Sequence, residues 1–176
     1  AVNFGIIYGQ TGFGLAKSIG VSPSEAESYI RRYFERYEGV KAYLDRVIEE
    51  ARAAKYVTTL LGRRRYLPDL AAQNRVLRSY AERTARNTPI QGTAADIIKV
   101  AMVRTYRRLS ADGFLAKLIL QVHDELIFEV PLDEQASLAA MVTEEMENAV
   151  KLAVPLEVEV KAGRNWAEME RIDSRA

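Results

Sequence analysis

Apolar residues recur at helical spacing through the first half of the chain. The Ser-Pro-Ser-Glu stretch that starts at Ser22 has the pattern of a capping box with proline at the first helical position, so it predicts a helix start. A period of about 3.6 residues then continues to Gly39 and resumes after it, which predicts two successive helices with aromatic residues in the core. A further predicted helix ends at Pro89. Its expected apolar face comprises Val76, Leu77, Tyr80, Ala81 and Thr84.

Strand-like patterns are interspersed with the helical ones. Residues 56–68 predict a short ribbon with a basic turn. Residues 91–109 predict a helix, Asp133 predicts the cap of another, and the alternation at 156–160 predicts a half-buried strand. Together these elements predict an α+β fold.

Two apolar segments flank a charged pair in the stretch from Leu118 to Val130, which predicts a hairpin with Asp124 and Glu125 at its tip. Two carboxylates side by side at the edge of a cleft favour a divalent cation, and oxygen ligands of this kind suit Mg²⁺. The residues alone leave a second interpretation open. Asp124 would then be a turn former, Glu125 a solvated neighbour and His123 a structural residue.

Charge is unevenly distributed although the net charge is only +1. Residues 62–108 hold eleven Lys/Arg and three Asp/Glu, giving +8, whereas residues 121–170 hold three Lys/Arg and twelve Asp/Glu, giving −9. Such a division suits a protein with one surface that follows phosphates and another that holds cations. Two ordinary solvated faces would have the same composition.

Several classes of protein are disfavoured by composition. The chain has no cysteine, so disulfides and thiolate metal sites are excluded, which suits a reducing compartment. We find no signal peptide and no apolar run long enough to span a bilayer, and therefore expect a soluble intracellular protein. A hydrophobic content of 48% is enough for a core.

Four collinear segments resemble signatures of the family A DNA polymerases, the group of bacterial DNA polymerase I. The string QVHDELIFEV at 121–130 resembles motif C, and residues 3–9 resemble the end of motif B on the fingers helix. Residues 61–68 and 88–96 resemble further signatures of the family. The likeness covers nearly the whole chain. It implies a helical fingers portion at 1–88 and a palm portion at 89–176, with helices packed on an antiparallel sheet that has the hairpin at its centre.

The resemblance implies template-directed nucleotidyl transfer with two Mg²⁺ ions, in a nucleoid-associated protein of the bacterial cytoplasm. It implies that Asp124 is a metal ligand, that Glu125 is a supporting carboxylate and that His123 lies at the primer terminus. It also places Phe4 against the sugar of the incoming nucleotide and Tyr8 near the templating base. Phe4 and Tyr8 have the spacing of a core stripe as well.

Duplex contacts are implied at a second group of residues. The resemblance places Arg83, Asn87 and Gln91 on the primer-template duplex, where amide side chains reach minor-groove acceptors that every base pair presents. The remaining group is the basic turn of the predicted ribbon, whose clustered guanidinium groups suit phosphate oxygens. This group is Arg63, Arg64 and Arg65. A solvated charge run is the alternative for this turn.

One departure from the family pattern bears on activity. The family's motif A aspartate, together with the Arg and Lys that open motif B, would precede Ala1. We therefore expect a C-terminal polymerase fragment that is inactive alone and needs the N-terminal remainder, with primer-template DNA and deoxynucleoside triphosphates as its other partners. The alternatives are a fragment of a single-subunit RNA polymerase, a non-catalytic duplex-binding module, and a structural protein with coincidental motifs.

Overall fold

The computed structural model describes residues 2–174 and confirms the α+β class. The helices are α1 (Val2–Ile7), α2 (Gly12–Ile19), α3 (Pro23–Arg36), α4 (Glu38–Ala54), α5 (Arg75–Asn87), α6 (Thr93–Ala111) and α7 (Gln135–Glu147). The strands are β1 (Tyr56–Thr58), β2 (Arg64–Tyr66), β3 (Lys117–Val122), β4 (Glu125–Glu129), β5 (Val160–Asn165) and β6 (Glu168–Ile172). The chain forms two compact units, the first ending at Thr93 and the second beginning at Ala94. The assignment of 1–88 to fingers and 89–176 to palm stays a prediction.

The predicted capping box starts α3. Ser22 Oγ accepts from the amide of Glu25 at 3.3 Å, and a Glu25 carboxylate oxygen accepts from the Ser22 amide at 3.0 Å. The Ser22 hydroxyl also donates to a Glu25 carboxylate oxygen at 2.7 Å. This bond is the largest cause of a lowered Glu25 pKa, and the bond from the Ser22 amide to the same carboxylate lowers that pKa further. The break after α3 lies at Tyr37, so the prediction of a break at Gly39 was wrong by two residues. Gly39 lies in the first turn of α4.

The first unit contains two apolar clusters. One joins α1, α2 and α3 around Ile6, Leu15, Ala16 and Ala26. The other joins α4, the β1–β2 ribbon and α5; its members are Val47, Ile48, Ala51, Val57, Leu67, Leu70, Ala81 and Ala85. The prediction of core aromatics along α3 and α4 was wrong in part, because Tyr29, Tyr37 and Tyr43 are exposed. Tyr33 and Phe34 are half-buried and pack against the first cluster.

Helix α5 buries a narrower face than its sequence pattern predicts. Ala81 and Ala85 are buried, but Val76, Leu77 and Tyr80 are 75%, 48% and 59% exposed. The prediction was wrong because apolar spacing marks a face of the helix without showing whether another element covers it. Nor does Pro89 end the helical path. A π-helical turn, Thr88–Gly92, carries the chain from α5 into α6, and proline is tolerated in the first residues of such a turn.

In the second unit, α6, α7 and the β3–β4 hairpin share one core. Leu118 of β3 and Phe128 of β4 pack against a cluster of buried residues. This cluster is Leu109, Ala116, Leu138, Met141 and Val142. Arg108 of α6 also binds α7, with its guanidinium 2.7 Å from Glu144 and 3.2 Å from Glu145. Hydrogen bonds to these carboxylates, led by Glu144, raise the pKa of Arg108.

Three sequence predictions for this unit need correction. Among residues 2–174 the β3–β4 hairpin is a two-stranded sheet and not the centre of a larger one. Asp133 lies in a short 3₁₀ turn before α7 and does not cap that helix. Residues 156–159 alternate in burial as predicted, but the hydrogen-bonded strand β5 begins only at Val160, where Ile172 of β6 pairs with it. None of the helices in the described residues meets the length and hydropathy of a membrane span.

Candidate metal and nucleic-acid sites

The turn between β3 and β4 presents the predicted carboxylates. Val122 pairs with Glu125, so the turn consists of His123 and Asp124, while Glu125 is the first residue of β4. His123 has a φ of 52° and Asp124 has no positive φ, which are the φ signs of a type II′ hairpin turn. The side-chain amide of Gln121 donates to the carbonyl oxygen of His123 at 2.7 Å. This bond fixes the turn from the side of β3.

A cation at this turn would find only part of a ligand set. His123, Asp124 and Glu125 are all exposed. In the part of the chain that the structure describes, no three His, Asp or Glu side chains are grouped closely enough to hold a metal ion. Mg²⁺ usually keeps several waters and takes one or two protein carboxylates plus substrate phosphates. The donor chemistry of the turn therefore fits Mg²⁺, and the assignment of Asp124 as its ligand stays a prediction.

The predicted nucleotide-binding aromatics form a stacked pair at α1. The ring centroids of Phe4 and Tyr8 are 6.0 Å apart, with 30° between the ring planes. Phe4 is 64% exposed and Tyr8 is half-buried, whereas the buried residue of this helix is Ile6. Phe4 is thus available to a ligand. Its role at the nucleotide sugar stays a prediction, as does that of Tyr8 at the templating base.

Tyr8 and Arg83 line one shallow cleft of about 420 Å³ within the first unit. Gly9, also in this cleft, has a φ of 79°, and an added Cβ there would lie 3.4 Å from Cγ of Arg83. The first unit therefore brings together a predicted nucleotide-binding residue and a predicted duplex-binding residue. His123, Asp124 and Glu125 lie in the second unit.

The three predicted duplex-reading residues follow one another along α5 and the π turn. Arg83 and Gln91 are exposed, and Asn87 is half-buried. The Oδ1 atom of Asn87 is buried and has no hydrogen-bond partner in the described residues. A π turn inside a helical path is uncommon and frequently marks a functional site. Here it carries Gln91.

The basic ribbon is a true hairpin, as the sequence predicts. Tyr56, Val57 and Thr58 pair with Tyr66, Arg65 and Arg64. All three arginines, Arg63, Arg64 and Arg65, are exposed. The Arg64 guanidinium lies 4.8 Å from the centroid of the Tyr56 ring, which limits the freedom of its side chain. The ribbon thus presents a cluster of cations to solvent, and their role at phosphates stays a prediction.

A hydrogen-bond chain joins this ribbon to the π turn. The Leu60 amide donates to Thr93 Oγ1 at 2.9 Å, and the Thr93 hydroxyl donates to the carbonyl oxygen of Pro89. Gly92 allows the close approach, because a Cβ added there would lie 2.6 Å from Cγ2 of Thr59. The arginine ribbon and the segment that carries Gln91 are therefore positioned by the same contacts.

Three residues of these sites were missed by the sequence predictions. Tyr80 was assigned to the core, yet it is exposed and its ring lies under the Arg83 guanidinium, 6.0 Å from centroid to Cζ. Its spacing of three residues from Arg83 was the available signal. Gln121 is part of the motif C string, but its bond to the turn carbonyl depends on three-dimensional structure. The role of Thr93 has no local sequence signal.

Comparison with known proteins agrees with the resemblance. The sequence model of DNA polymerase family A matches residues 1–168. DNA polymerase I of Caldicellulosiruptor bescii is 53% identical over 168 residues, which are 96% of this chain and 20% of that protein. The thermostable DNA polymerase I of Thermus filiformis is 51% identical over 170 residues, 97% of this chain and 20% of that protein. The chain thus spans about a fifth of the length of the curated relatives it matches.

A solved structure shows the same fold. It is the POL domain of Pol1 from M. smegmatis, in complex with a DNA primer-template and dNTP. The TM-score is 0.85 at 48% sequence identity, over 88% of this chain and 27% of that one. On the match to 1–168 and these identities, the chain belongs to DNA polymerase family A.

Proposed function

We propose that this chain is part of a DNA-directed DNA polymerase that performs template-directed nucleotidyl transfer by a two-metal mechanism. The observation that carries the proposal is the β3–β4 turn, where Asp124 and Glu125 are exposed at the end of a hairpin anchored in the core through Leu118 and Phe128. A carboxylate on a rigid hairpin is held in place more accurately than one on a long loop. Such positioning is what in-line displacement at a metal site requires.

Each residue of the turn has a proposed task. Asp124 holds Mg²⁺ through its carboxylate, Glu125 supports the negative potential beside it, and His123 contacts the primer terminus. Bound Mg²⁺ would activate the attacking hydroxyl and neutralise charge on the triphosphate. The chain itself orients these three side chains, because the hydrogen bond from Gln121 to the His123 carbonyl fixes the backbone from which they project.

The first unit supplies the proposed substrate contacts. Phe4 lies against the sugar of the incoming deoxynucleoside triphosphate, and Tyr8 lies near the templating base. The primer-template duplex is bound by two groups of residues. Arg83, Asn87 and Gln91 contact its minor groove, and Arg63, Arg64 and Arg65 contact its phosphates. The exposed Phe4 ring, which stacks on the half-buried Tyr8, and the exposed arginine ribbon support this assignment.

The isolated chain is proposed to be inactive. We expect the 176-residue chain not to extend a primer, because its β3–β4 turn supplies only part of the ligand set that the proposed two-metal mechanism needs. Addition of the N-terminal remainder of the polymerase should restore extension. The proposed setting is the bacterial cytoplasm, in association with the nucleoid. Mg²⁺-dependent extension by the purified chain alone would contradict this part of the proposal.

The central test uses Asp124→Asn and Glu125→Gln in the complete polymerase. Both changes remove one negative charge with little change in shape, so each is the control for the other. We expect Asp124→Asn to abolish turnover while primer-template binding is largely retained, and Glu125→Gln to have the milder effect. Single-turnover extension in Mg²⁺ and equilibrium binding without nucleotide measure the two quantities. Near-normal rates for Asp124→Asn would eliminate Asp124 as the metal ligand.

A further inference from the structure

We propose that Tyr80 is a positioning residue for Arg83 and that it extends the duplex-binding face of α5 by one turn. The inference rests on the proposed role of Arg83 at the primer-template duplex. It assigns a task to an exposed aromatic side chain that the sequence pattern placed in the core.

The contact between the two side chains is the first observation. Cζ of Arg83 lies 6.0 Å from the centroid of the Tyr80 ring, within the range of a cation–π interaction. Arginine has a long side chain with many rotamers, and ordering it on a ligand costs conformational entropy. A ring that already restricts the guanidinium in the free protein lowers that cost. Tyr80 would therefore act through the orientation of Arg83.

The position of Tyr80 on the helix is the second observation. Tyr80, Arg83 and Asn87 are separated by three and four residues, and side chains at this spacing lie on one face of an α-helix. Tyr80 is 59% exposed, while the residue next to it, Ala81, is 2% exposed and belongs to the core. The face that carries Arg83 and Asn87 thus continues toward the N-terminus of α5 as an exposed surface.

Charge identifies the kind of partner for this face. Helix α5 contains four arginines and one acidic residue, Glu82, which gives a charge of +3. The carboxylate of Glu82 is 2.6 Å from Arg52 of α4 and its side chain is only 24% exposed, so it does little to offset the arginines of α5 toward a ligand. A polyanion matches a cationic surface with an aromatic ring, because the ring packs on sugars while the cations neutralise phosphates. An apolar protein surface would leave these arginines unpaired.

The test measures duplex binding by the 176-residue chain at a fixed salt concentration, using fluorescence anisotropy of a labelled primer-template. Tyr80→Leu removes the ring but keeps much of the apolar volume, whereas Tyr80→Phe keeps the ring. The chain also offers a matched control. Tyr43 and Arg46 form the same pair on α4, with Cζ 5.7 Å from the ring centroid, outside the proposed surface.

We expect Tyr80→Leu to weaken binding about two- to fivefold, the effect of losing an exposed cation–π contact. Tyr80→Phe and Tyr43→Leu should both bind like the wild type. In an Arg83→Ala background, Tyr80→Leu should have no further effect, because the residue it positions is gone. Thermal unfolding of each variant should be unchanged within a few degrees, since Tyr80 is exposed.

Two results would overturn the inference while the proposed duplex role of Arg83 stands. One is a loss with Arg83→Ala but none with Tyr80→Leu. The other is an equal loss from Tyr80→Leu in both backgrounds, which would make Tyr80 an independent contact. If the chain does not bind the duplex, or if Arg83→Ala binds like the wild type, the duplex role of Arg83 fails, and this inference fails with it.

Discussion

Gly92 lies where the arginine ribbon approaches the π turn, and Gly92→Ala tests how tightly the two are packed. The added Cβ would lie 2.6 Å from Cγ2 of Thr59, about 1 Å closer than an ordinary carbon–carbon contact. Thr59 is 5% exposed and its Oγ1 accepts from the Arg63 amide at 3.1 Å, so its side chain is fixed. Overpacking of this kind costs about 1–3 kcal/mol. The higher helix propensity of alanine relative to glycine offsets about 1 kcal/mol of this cost. The net expectation is a loss of up to about 2 kcal/mol in the free energy of unfolding.

Thr59→Ser supplies the matched control. It removes the Cγ2 methyl group that the added Cβ would contact, and it keeps the hydroxyl that accepts a hydrogen bond from the Arg63 amide. In that background Gly92→Ala should be neutral or stabilising by up to about 1 kcal/mol, so the sign of its effect should change. Urea unfolding followed by far-ultraviolet circular dichroism measures the free energies. Hydrogen exchange at the Leu60 amide reports the ribbon itself, since that amide donates to Thr93. The reasoning is refuted if Gly92→Ala has the same effect in both backgrounds.

Other predictions follow from charge and hydrogen bonding. Replacing Arg63, Arg64 and Arg65 together by alanine should flatten the salt dependence of duplex binding, since each phosphate contact contributes a log-log slope of about −0.9. An unchanged slope would make this a solvated turn. In the complete polymerase Phe4→Tyr should relax selection against 3′-deoxy sugars by roughly tenfold or more, because the phenol replaces a lost hydrogen bond, and the ratio of kcat/KM for 2′-deoxy and 2′,3′-dideoxy nucleotides should show it. The pKa of Glu25 is lowered in the folded chain from its ordinary value of 4.5. Its carboxylate therefore stabilises the fold fully above that value and loses the effect as pH falls through the lowered pKa. Urea midpoints of wild type and Glu25→Gln should differ at neutral pH and converge in acid.

Some local signals predicted the structure correctly, whereas the local signals at Gly39 and Asp133 did not. The capping box at Ser22 and the hairpin around Asp124 both depend on residues within a few positions of one another, and both were confirmed. The covered face of α5 could not be predicted, because Val76 and Tyr80 have the same spacing whether or not another element packs on them. The path through Pro89 was missed for a related reason. A proline is compatible both with the end of a helix and with the start of a π-helical turn, so the residue alone does not show whether the helical path continues beyond it.

The positions of the candidate site residues could be predicted from the sequence, but the contacts that hold them could not. The motif strings located the turn residues and the arginine ribbon, and the structure places both in exposed hairpins. The contacts that hold those hairpins in position were not predictable. The bond from Gln121 to the turn and the bond from Leu60 to Thr93 join backbone atoms to side chains through geometry that composition and spacing do not record.

The positive φ of His123 also restricts which sequences this position can explore over evolutionary time. Glycine, asparagine and aspartate adopt such a backbone conformation readily, whereas β-branched residues do not. A valine or isoleucine at position 123 would disturb the turn before the loss of the imidazole had any effect of its own. Asparagine would keep the backbone and remove only the ring. The residues tolerated at position 123 are therefore selected both by the backbone conformation of the turn and by the chemistry of the side chain. Only substitutions that preserve the backbone conformation show what the side chain itself contributes.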